Sequence, residues 1–498
     1  MLPVVSAQDI RDAEQAWFDA HPGGDLMAVA ADAVARAAAE LLSMLAWYSE
    51  PPTPRGGADS ADGPTVVLVV AGPGNNAGDA LFALAGLPGL LPDTELDLVV
   101  WPCAGATHDV GLAAAQDAGA RTVDADAALG LVPGAALVID GVSGLGGRPG
   151  LEPAVLAVAD ACRAHGTPVL AVDLPSGLVA DSHEAHACFT ADLTVTFIAH
   201  KPAHVLAPAS GHCGEVRLVD IGVAAPASDL HLVEESDCAA WYPTPDASSD
   251  KYSRGVVGID TGTDDYPGAA VLGVAGALWS GAGMVRYAGP SRPADFVLAA
   301  HPSVVVPVDP ADPGRVQAWV CGSGWPGPDA ERLARRVADD VPVVVDAGAL
   351  GALPTAAPDG LPVHSVLTPH AGELARLLEV ERAEVEADPL THARRAARQT
   401  GATVLLKGAN QFAVEPDGTA LLALPGTPWT ATAGSGDVLA GIVGTCVAAG
   451  LPAARAAVLG ASLQAATARA ERAAPIPPDR LAEHLGVSIE RWCDSLRP

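Results

Sequence analysis

The chain has 498 residues, 49% of them hydrophobic, and sets 28 basic side chains against 59 acidic ones for a formal net charge of −31. That length allows two or three cores of ordinary size, and that charge excludes a general nucleic-acid or anionic-membrane surface, which needs clustered Lys and Arg. No basic-then-apolar leader opens the sequence, no apolar run reaches the roughly 18 residues that span a bilayer, and the eight cysteines lack zinc-ligand spacing, so a cytoplasmic enzyme with reduced thiols is expected.

In chain order, Ser6 with Asp9 three residues on predicts a capped helix start, and 25–47 reads as a long Ala-rich helix. Residues 51–64, rich in Pro and Gly, read as a loop. Short β-branched runs at 65–71, 96–101, 136–140, 169–173, 193–198 and 216–220 alternate with helical stretches, which predicts βαβ units around a parallel sheet buried on both faces. The pattern lapses over 223–250, with Pro226, Pro243 and Pro245, and the boundary is placed there: one domain over 1–222, a linker over 223–231 and a second domain over 232–498. The second half resumes with strands at 256–260, 318–322, 343–346, 366–368 and 404–406 and with helices at 268–282 and 437–449. The turn Glu415-Pro416-Asp417-Gly418 predicts a hairpin. The whole is α/β, and no internal repeat is visible.

Two glycine-and-aspartate loops carry the chemistry. The first, Gly72-Pro73-Gly74-Asn75-Asn76-Ala77-Gly78-Asp79-Ala80, follows a strand and offers backbone N–H groups to an anion. Two further strands end in aspartate: Asp140 leads into Gly141-Val142-Ser143-Gly144-Leu145-Gly146-Gly147-Arg148-Pro149-Gly150, and Asp173 leads into Leu174-Pro175-Ser176-Gly177. Ligands of open parallel sheets sit at the carboxyl ends of the strands, so Asn76, Asp140, Asp173 and Ser176 can converge there. Their oxygens suit a hard cation, and capping by Asp173 or Ser176 is the rival role.

This set, with Thr196-Phe197-Ile198-Ala199-His200-Lys201-Pro202, resembles the NAD(P)H-hydrate epimerase domain, the YjeF amino-terminal type, over about 1–222. The resemblance implies a Rossmann-like fold that binds NAD(P)H hydroxylated on its reduced nicotinamide ring and exchanges the two C6 epimers. By motif match, Asn75, Asn76, Ala77, Gly78 and Asp79, the stretch from Gly144 to Gly150, and Asp173 would meet the substrate; Asn76, Asp140 and Ser176 would hold potassium. Loss and return of the hydroxyl needs an acid/base group, for which Asp173 stands first and Asp79 second. Ala77 and Ala80 replace two glycines of the usual family loop, and a positive φ at either position would strain an alanine.

The second loop, Thr432-Ala433-Gly434-Ser435-Gly436-Asp437, opens a helix of small apolar residues. Its N–H groups suit a developing phosphate charge, and Asp437 at that mouth can take a proton from an attacking hydroxyl. Upstream stand Tyr266-Pro267-Gly268-Ala269-Ala270, Gly322-Ser323-Gly324, Thr368-Pro369-His370-Ala371-Gly372-Glu373, Lys407-Gly408-Ala409-Asn410-Gln411 and Gly426-Thr427-Pro428-Trp429. Lys407, one of three lysines in the chain, follows a strand and precedes glycine, a place from which to meet a diphosphate.

These motifs resemble the ADP-dependent NAD(P)H-hydrate dehydratase, a ribokinase-like fold, over about 232–490. The family returns the S epimer to NAD(P)H and converts ADP to AMP and phosphate. By motif, Ala269, Gly324, His370 and Asp437 would face the hydrate; Lys407, Gly408, Ala409, Asn410, Gln411 and Gly436 would hold the nucleotide, with magnesium on the diphosphate. Gly348 and Gly351 depart from a family aspartate and asparagine, and Arg254 from a usual lysine. The combined reading is a bifunctional repair enzyme, a homo-oligomer acting on small molecules without nucleic acid or membrane. Its alternatives are a dehydratase with a dinucleotide-binding amino half, and a small-molecule kinase of the ribokinase superfamily.

Overall fold

The structure is a computed structural model that describes residues 1–48, 63–470 and 474–496; the expected loop at 51–64 falls outside them except for its last two residues. Two compact units result, Pro3–Ser228 and Asp229–Pro498, the latter taking Met1–Leu2 as well. Among the described residues no helix is long and apolar enough to cross a membrane.

The amino-terminal unit is a seven-stranded parallel sheet in the order Arg121–Thr122, Leu96–Pro102, Thr65–Ala71, Leu137–Gly141, Val169–Val172, Leu193–Phe197, Glu215–Val219. Alternate residues of Thr65–Ala71 enter two cores: Val67, Val69 and Ala71 pack with the helices Leu26–Tyr48 and Asn75–Leu90, Leu68 and Val70 with the helix Pro153–His165. Burial of both faces is why these strands read as continuous apolar runs. The chain fills one side of Thr65–Ala71 before crossing to Leu137–Gly141 on the other. That reversal opens a crevice at the carboxyl ends, the Rossmann-like place for a ligand. The predicted cap is present: Asp9 N–H donates to Ser6 Oγ at 3.1 Å, and Ser6 N–H to Asp9 Oδ2 at 3.0 Å.

The carboxyl-terminal unit has a parallel core in the order Thr403–Leu406, Val366–Leu367, Val343–Val345, Ala318–Cys321, Val256–Asp260, Met284–Tyr287. The hairpin predicted from the Glu415–Gly418 turn, Phe412–Val414 with Ala420–Leu422, extends it antiparallel. Unread strands include Leu230–Leu232, at the end of the expected linker, which pairs with Ala420–Leu422, and Met284–Tyr287, which closes the far edge. The helices Pro267–Trp279 and Ser435–Ala448 pack backbone to backbone, because Gly276 lies against Val438 and Gly441 against Gly273, where any Cβ would collide.

Candidate active sites

In the amino-terminal unit the first loop is shorter than expected. The helix begins at Asn75, so Asn75, Asn76 and Asp79 occupy its first turns and only Gly72 to Gly74 form the turn. Gly72 is required there, since a side chain would meet the Val142 carbonyl. Ala77 and Ala80 are helical, fully buried in the core and absent from the residues with positive φ. Neither is strained.

Asp140, one residue before the end of its strand, is fully buried, and the Ser176 turn comes to it. Ser176 donates from Oγ to Asp140 Oδ1 at 2.6 Å and from N–H to Oδ2 at 2.7 Å, while Ser143 N–H donates to Ser176 Oγ at 2.9 Å. Among the described residues Asp140 forms no ion pair, and burial, only partly offset by the Ser176 bonds, pushes it up to about 6. The Asn76 Nδ2 amide nearby is buried without a partner. A buried carboxylate without a counter-charge, beside hydroxyl and amide oxygens, is a donor set that fits a monovalent cation. Among the described residues no group of three or more His, Cys, Asp or Glu forms a metal cluster of the ordinary kind.

Asp173 leaves its strand one residue early, at a left-handed φ of 63°, which aspartate tolerates better than most residues. Its Oδ1 accepts from Lys201 Nζ at 2.7 Å and Thr196 Oγ1 at 3.0 Å, and its carbonyl meets His204 Nε2 at 2.7 Å. Burial alone would raise the Asp173 pKa. The Lys201 ammonium, His204 and these hydrogen bonds outweigh it and hold the carboxyl below its ordinary value. Gly144 closes over the other oxygen: a Cβ there would lie 2.7 Å from Asp173 Oδ2 and 2.8 Å from Asn76 Oδ1. Three separated motifs thus meet at Gly144. Leu145 to Gly150 run outward from it, pinned by Gly147 N–H to the Gly144 carbonyl at 2.8 Å and by Gly150 N–H to the Gly177 carbonyl at 2.9 Å.

Asp79 faces the same crevice in the opposite electrostatic state. Burial, then the charges of Asp173, Glu14 and Asp25, push it up to about 8. Glu14 was not legible as a site residue. It reaches the crevice from the helix Ala7–Ala20, where burial and Asp173 raise it, and one turn before it Arg11 Nη2 donates to the Leu145 carbonyl at 2.8 Å.

In the carboxyl-terminal unit, Lys407 Nζ donates to Asp346 Oδ1 at 2.6 Å, and the Ser323 and Thr368 hydroxyls donate to the same carboxylate at 2.8 Å each. Burial works against the Lys407 charge, but Asp346, then Glu373 and Asp437, outweigh it and raise the ammonium above its ordinary value. Gly436, in the first turn of Ser435–Ala448, comes so close that a Cβ would lie 3.4 Å from Lys407 Nζ. Asp437 follows; burial and the Asp346 charge push it up to about 7 against the opposing pull of Lys407 and the Ser323 hydroxyl. Ser323 and Asp346 are the residues sequence reasoning left out. Asp346 carried a usable signal, the same strand-end aspartate that marked Asp140 and Asp173.

Ala269 and Gly324 abut, since a Cβ on Gly324 would lie 2.6 Å from Ala269 Cβ. Ser323, next in the chain to Gly324, ties this wall to Asp346. His370 joins through its backbone bridge to Lys407 and caps the helix Ala371–Leu378, its Nδ1 accepting from Gly372 N–H at 3.0 Å. Its side chain is 54% exposed, with Nε2 3.6 Å from Glu373 Oε1. Gly408 and Ala409 are exposed, and Asn410 and Gln411 half-buried, on the turn after Lys407.

The departures at Gly348 and Gly351 have a packing reason. A Cβ on Gly348 would lie 2.8 Å from Trp325 Cβ and its carbonyl oxygen, and one on Gly351 2.8 Å from Pro328. Trp325 donates its indole N–H to the Asp260 carbonyl at 3.1 Å and carries the Arg332 guanidinium 4.3 Å above its ring; Arg332 and Arg336 each bond the buried Asp260 carboxylate at 2.7 Å.

A Rossmann-like crevice whose two carboxyls are shifted in opposite directions, Asp173 down and Asp79 up, and a second α/β unit with lysine and aspartate at a glycine-flanked helix start, fit a two-site enzyme of small-molecule chemistry. A family profile described as NAD(P)H-hydrate dehydratase matches residues 257–490, and one described as YjeF-related protein N-terminus matches 23–203. The chain is 39% identical over 511 residues to the bifunctional NAD(P)H-hydrate repair enzyme Nnr of Mycobacterium leprae, covering 98% of this chain and 99% of that one. Its identity is 43% to the Mycobacterium tuberculosis enzyme over 78% of this chain and 80% of that one, and 33% to that of Corynebacterium glutamicum over 90% and 87%. An ADP/ATP-dependent NAD(P)H-hydrate dehydratase from Bacillus subtilis, co-crystallized with ATP/Mg2+, is similar at 26% identity and a TM-score of 0.47, over 52% of this chain and 97% of that one. The chain belongs to the bifunctional NAD(P)H-hydrate repair enzymes, with an epimerase domain followed by a dehydratase domain.

Proposed function

We propose that Asp79 and Asp173 divide the work of epimerisation, and that Asp437 starts a dehydration driven by ADP. The observation that carries the first half is the separation of the two carboxyls by their surroundings: Lys201 holds Asp173 ionised, whereas burial among like charges keeps Asp79 protonated at neutral pH. In this reading the order of the two aspartates as proton donors reverses, and Asp79 leads. Its proton passes to the C6 hydroxyl, which leaves as water with the C–O electron pair while the ring-nitrogen lone pair fills the gap. The resulting ring cation sits against the negative charge of Asp173. Water then adds from either face and returns its proton to Asp79. Asn75, Asn76 and the Gly144 to Gly150 stretch, which meets Asp173 Oδ2 and Asn76 Oδ1 at Gly144, take the substrate.

Potassium held by Asn76, Asp140 and Ser176 would neutralise the Asp140 charge and tie the helix start to the Ser176 turn. The Asp140 carboxylate, buried without a counter-charge, supports it.

In the dehydratase site, Asp437 takes the proton of the C6 hydroxyl of the S epimer. The oxygen attacks the terminal phosphoryl group of ADP, the bond to AMP breaks, and phosphate leaves C6 as the ring nitrogen pushes; a C5 proton passes to the phosphate and NAD(P)H results. Lys407 and the N–H groups at Gly436 receive the diphosphate charge. Bound with the diphosphate, magnesium would supply further neutralisation; Asp346 is engaged by Lys407, and the place of a second carboxylate is closed at Gly348. The eight cysteines are all free thiols, which supports a cytoplasmic setting. Separate single substitutions test the whole: Asp437→Ala should abolish dehydration and spare epimerisation, Asp173→Ala should do the reverse, and loss of both activities from either change would contradict two independent sites.

A further inference from the structure

Lys201 is 1% exposed, and every proton of its ammonium has an acceptor: Asp173 Oδ1 at 2.7 Å, Thr196 Oγ1 at 2.7 Å and the Phe197 carbonyl at 3.2 Å. A lysine so enclosed has no contact to spare for a substrate. Thr196 in turn donates its hydroxyl hydrogen bond to the same Asp173 Oδ1 at 3.0 Å, so this oxygen is saturated while Oδ2 faces Gly144 and Asn76. The backbone is fixed as well: Lys201 N–H donates to His204 Nδ1 at 3.2 Å, and His204 Nε2, which then carries the ring proton, meets the Asp173 carbonyl at 2.7 Å. Lys201 and His204 thereby grip the left-handed Asp173 from both its side chain and its main chain.

We propose that Lys201 is the positioning residue of the epimerase site, saturating Asp173 Oδ1 so that Oδ2 is the one carboxylate oxygen presented to the substrate beside Asn76 and Gly144. The proposal rests on the reading that Asp173 acts in epimerisation. A positioning role of this kind works on charge that develops during the reaction, so it belongs to turnover more than to ground-state binding.

The test follows the approach of a pure epimer to the R/S equilibrium with the full-length protein and no nucleotide, so that dehydration is idle. Lys201→Met should lower kcat about 100-fold with KM within about twofold, and Lys201→Arg, which keeps the charge, should recover at least about tenfold of that loss. Thr196→Val, which removes one of the two bonds to Oδ1, should fall between Lys201→Met and the unsubstituted protein, again through kcat. A Lys201→Met protein of native melting temperature that turns over within about threefold of the unsubstituted chain, or whose loss lies in KM alone, overturns the proposal. So does Lys201→Arg that folds and recovers nothing. Should Lys201→Met fail to fold, Thr196→Val decides, and an unchanged kcat there counts against the idea. Asp173→Asn separates the two claims: full activity in that variant sinks the parent reading, whereas an inactive Asp173→Asn beside an active Lys201→Met sinks only the role of Lys201.

Discussion

The dehydratase base gives the most quantitative prediction. As the proposed base, Asp437 must be ionised to accept the hydroxyl proton, and its surroundings push its pKa up to about 7. For a base with a raised pKa, activity is present above that value and is lost as pH falls through it. The kcat/KM for the S epimer at saturating nucleotide should therefore be level above about pH 8 and fall about tenfold per pH unit below about 6. Asp346→Asn then moves the limb. It removes the like charge that raises Asp437 and releases Lys407, whose ammonium pulls Asp437 down, so both effects act in one direction. A charge change at this range is worth about one to three pK units, and the limb should shift to lower pH by at least about one unit even if the plateau falls. The assay reads the return of reduced-nicotinamide absorbance across pH 5 to 9 at constant ionic strength. A limb that stays near 7 in the variant, or moves upward, refutes the electrostatic assignment.

Lys407→Met should raise the KM for ADP and leave Asp346 buried without a counter-charge, costing about 3 kcal/mol of stability in urea denaturation of the carboxyl-terminal unit. Ala77→Gly, which restores the usual family residue, should not raise epimerase activity; at a buried helical position glycine costs about 0.5–1 kcal/mol, visible as a lower urea midpoint. Replacing potassium by a bulky organic cation should slow epimerisation and leave dehydration of the pure S form at its former rate, and Asp140→Asn should remove the potassium response. The epimerase rate should also fall as pH rises through about 8, where Asp79 loses the proton it donates, and a rate still climbing there would remove Asp79 from that role.

Much of the architecture could be read from the chain because strands buried on both faces are written as unbroken β-branched runs, as Thr65–Ala71 and Val256–Asp260 show. Edges were harder. Met284–Tyr287 and Leu230–Leu232 are short, flanked by Gly or Pro-rich sequence, and take their strand character from a neighbour rather than from their own pattern. The helix start at Asn75 hid for a related reason: asparagine and glycine favour turns locally, and the buried faces of Ala77, Ala80 and Leu81 decide for helix. Asp140, Asp173 and the Lys407 and Asp437 motifs were visible because each needs a particular residue type. Which aspartate is shifted up and which down was not, since it depends on Lys201, Glu14 and burial, and these converge only in three dimensions. Nor was the pairing of Gly348 with Trp325, a contact between segments more than twenty residues apart.

The central claim is that one chain empties both epimers of hydrated NAD(P)H through two sites. Its most direct test supplies purified protein with a mixture of R and S hydrates, ADP, magnesium and potassium, and follows the reduced-nicotinamide absorbance with spontaneous epimerisation subtracted. The account predicts recovery of the whole pool, and Asp173→Ala should stop it once the S form is gone. A plateau at the S fraction with the unsubstituted protein, or no recovery with any nucleotide, would contradict it.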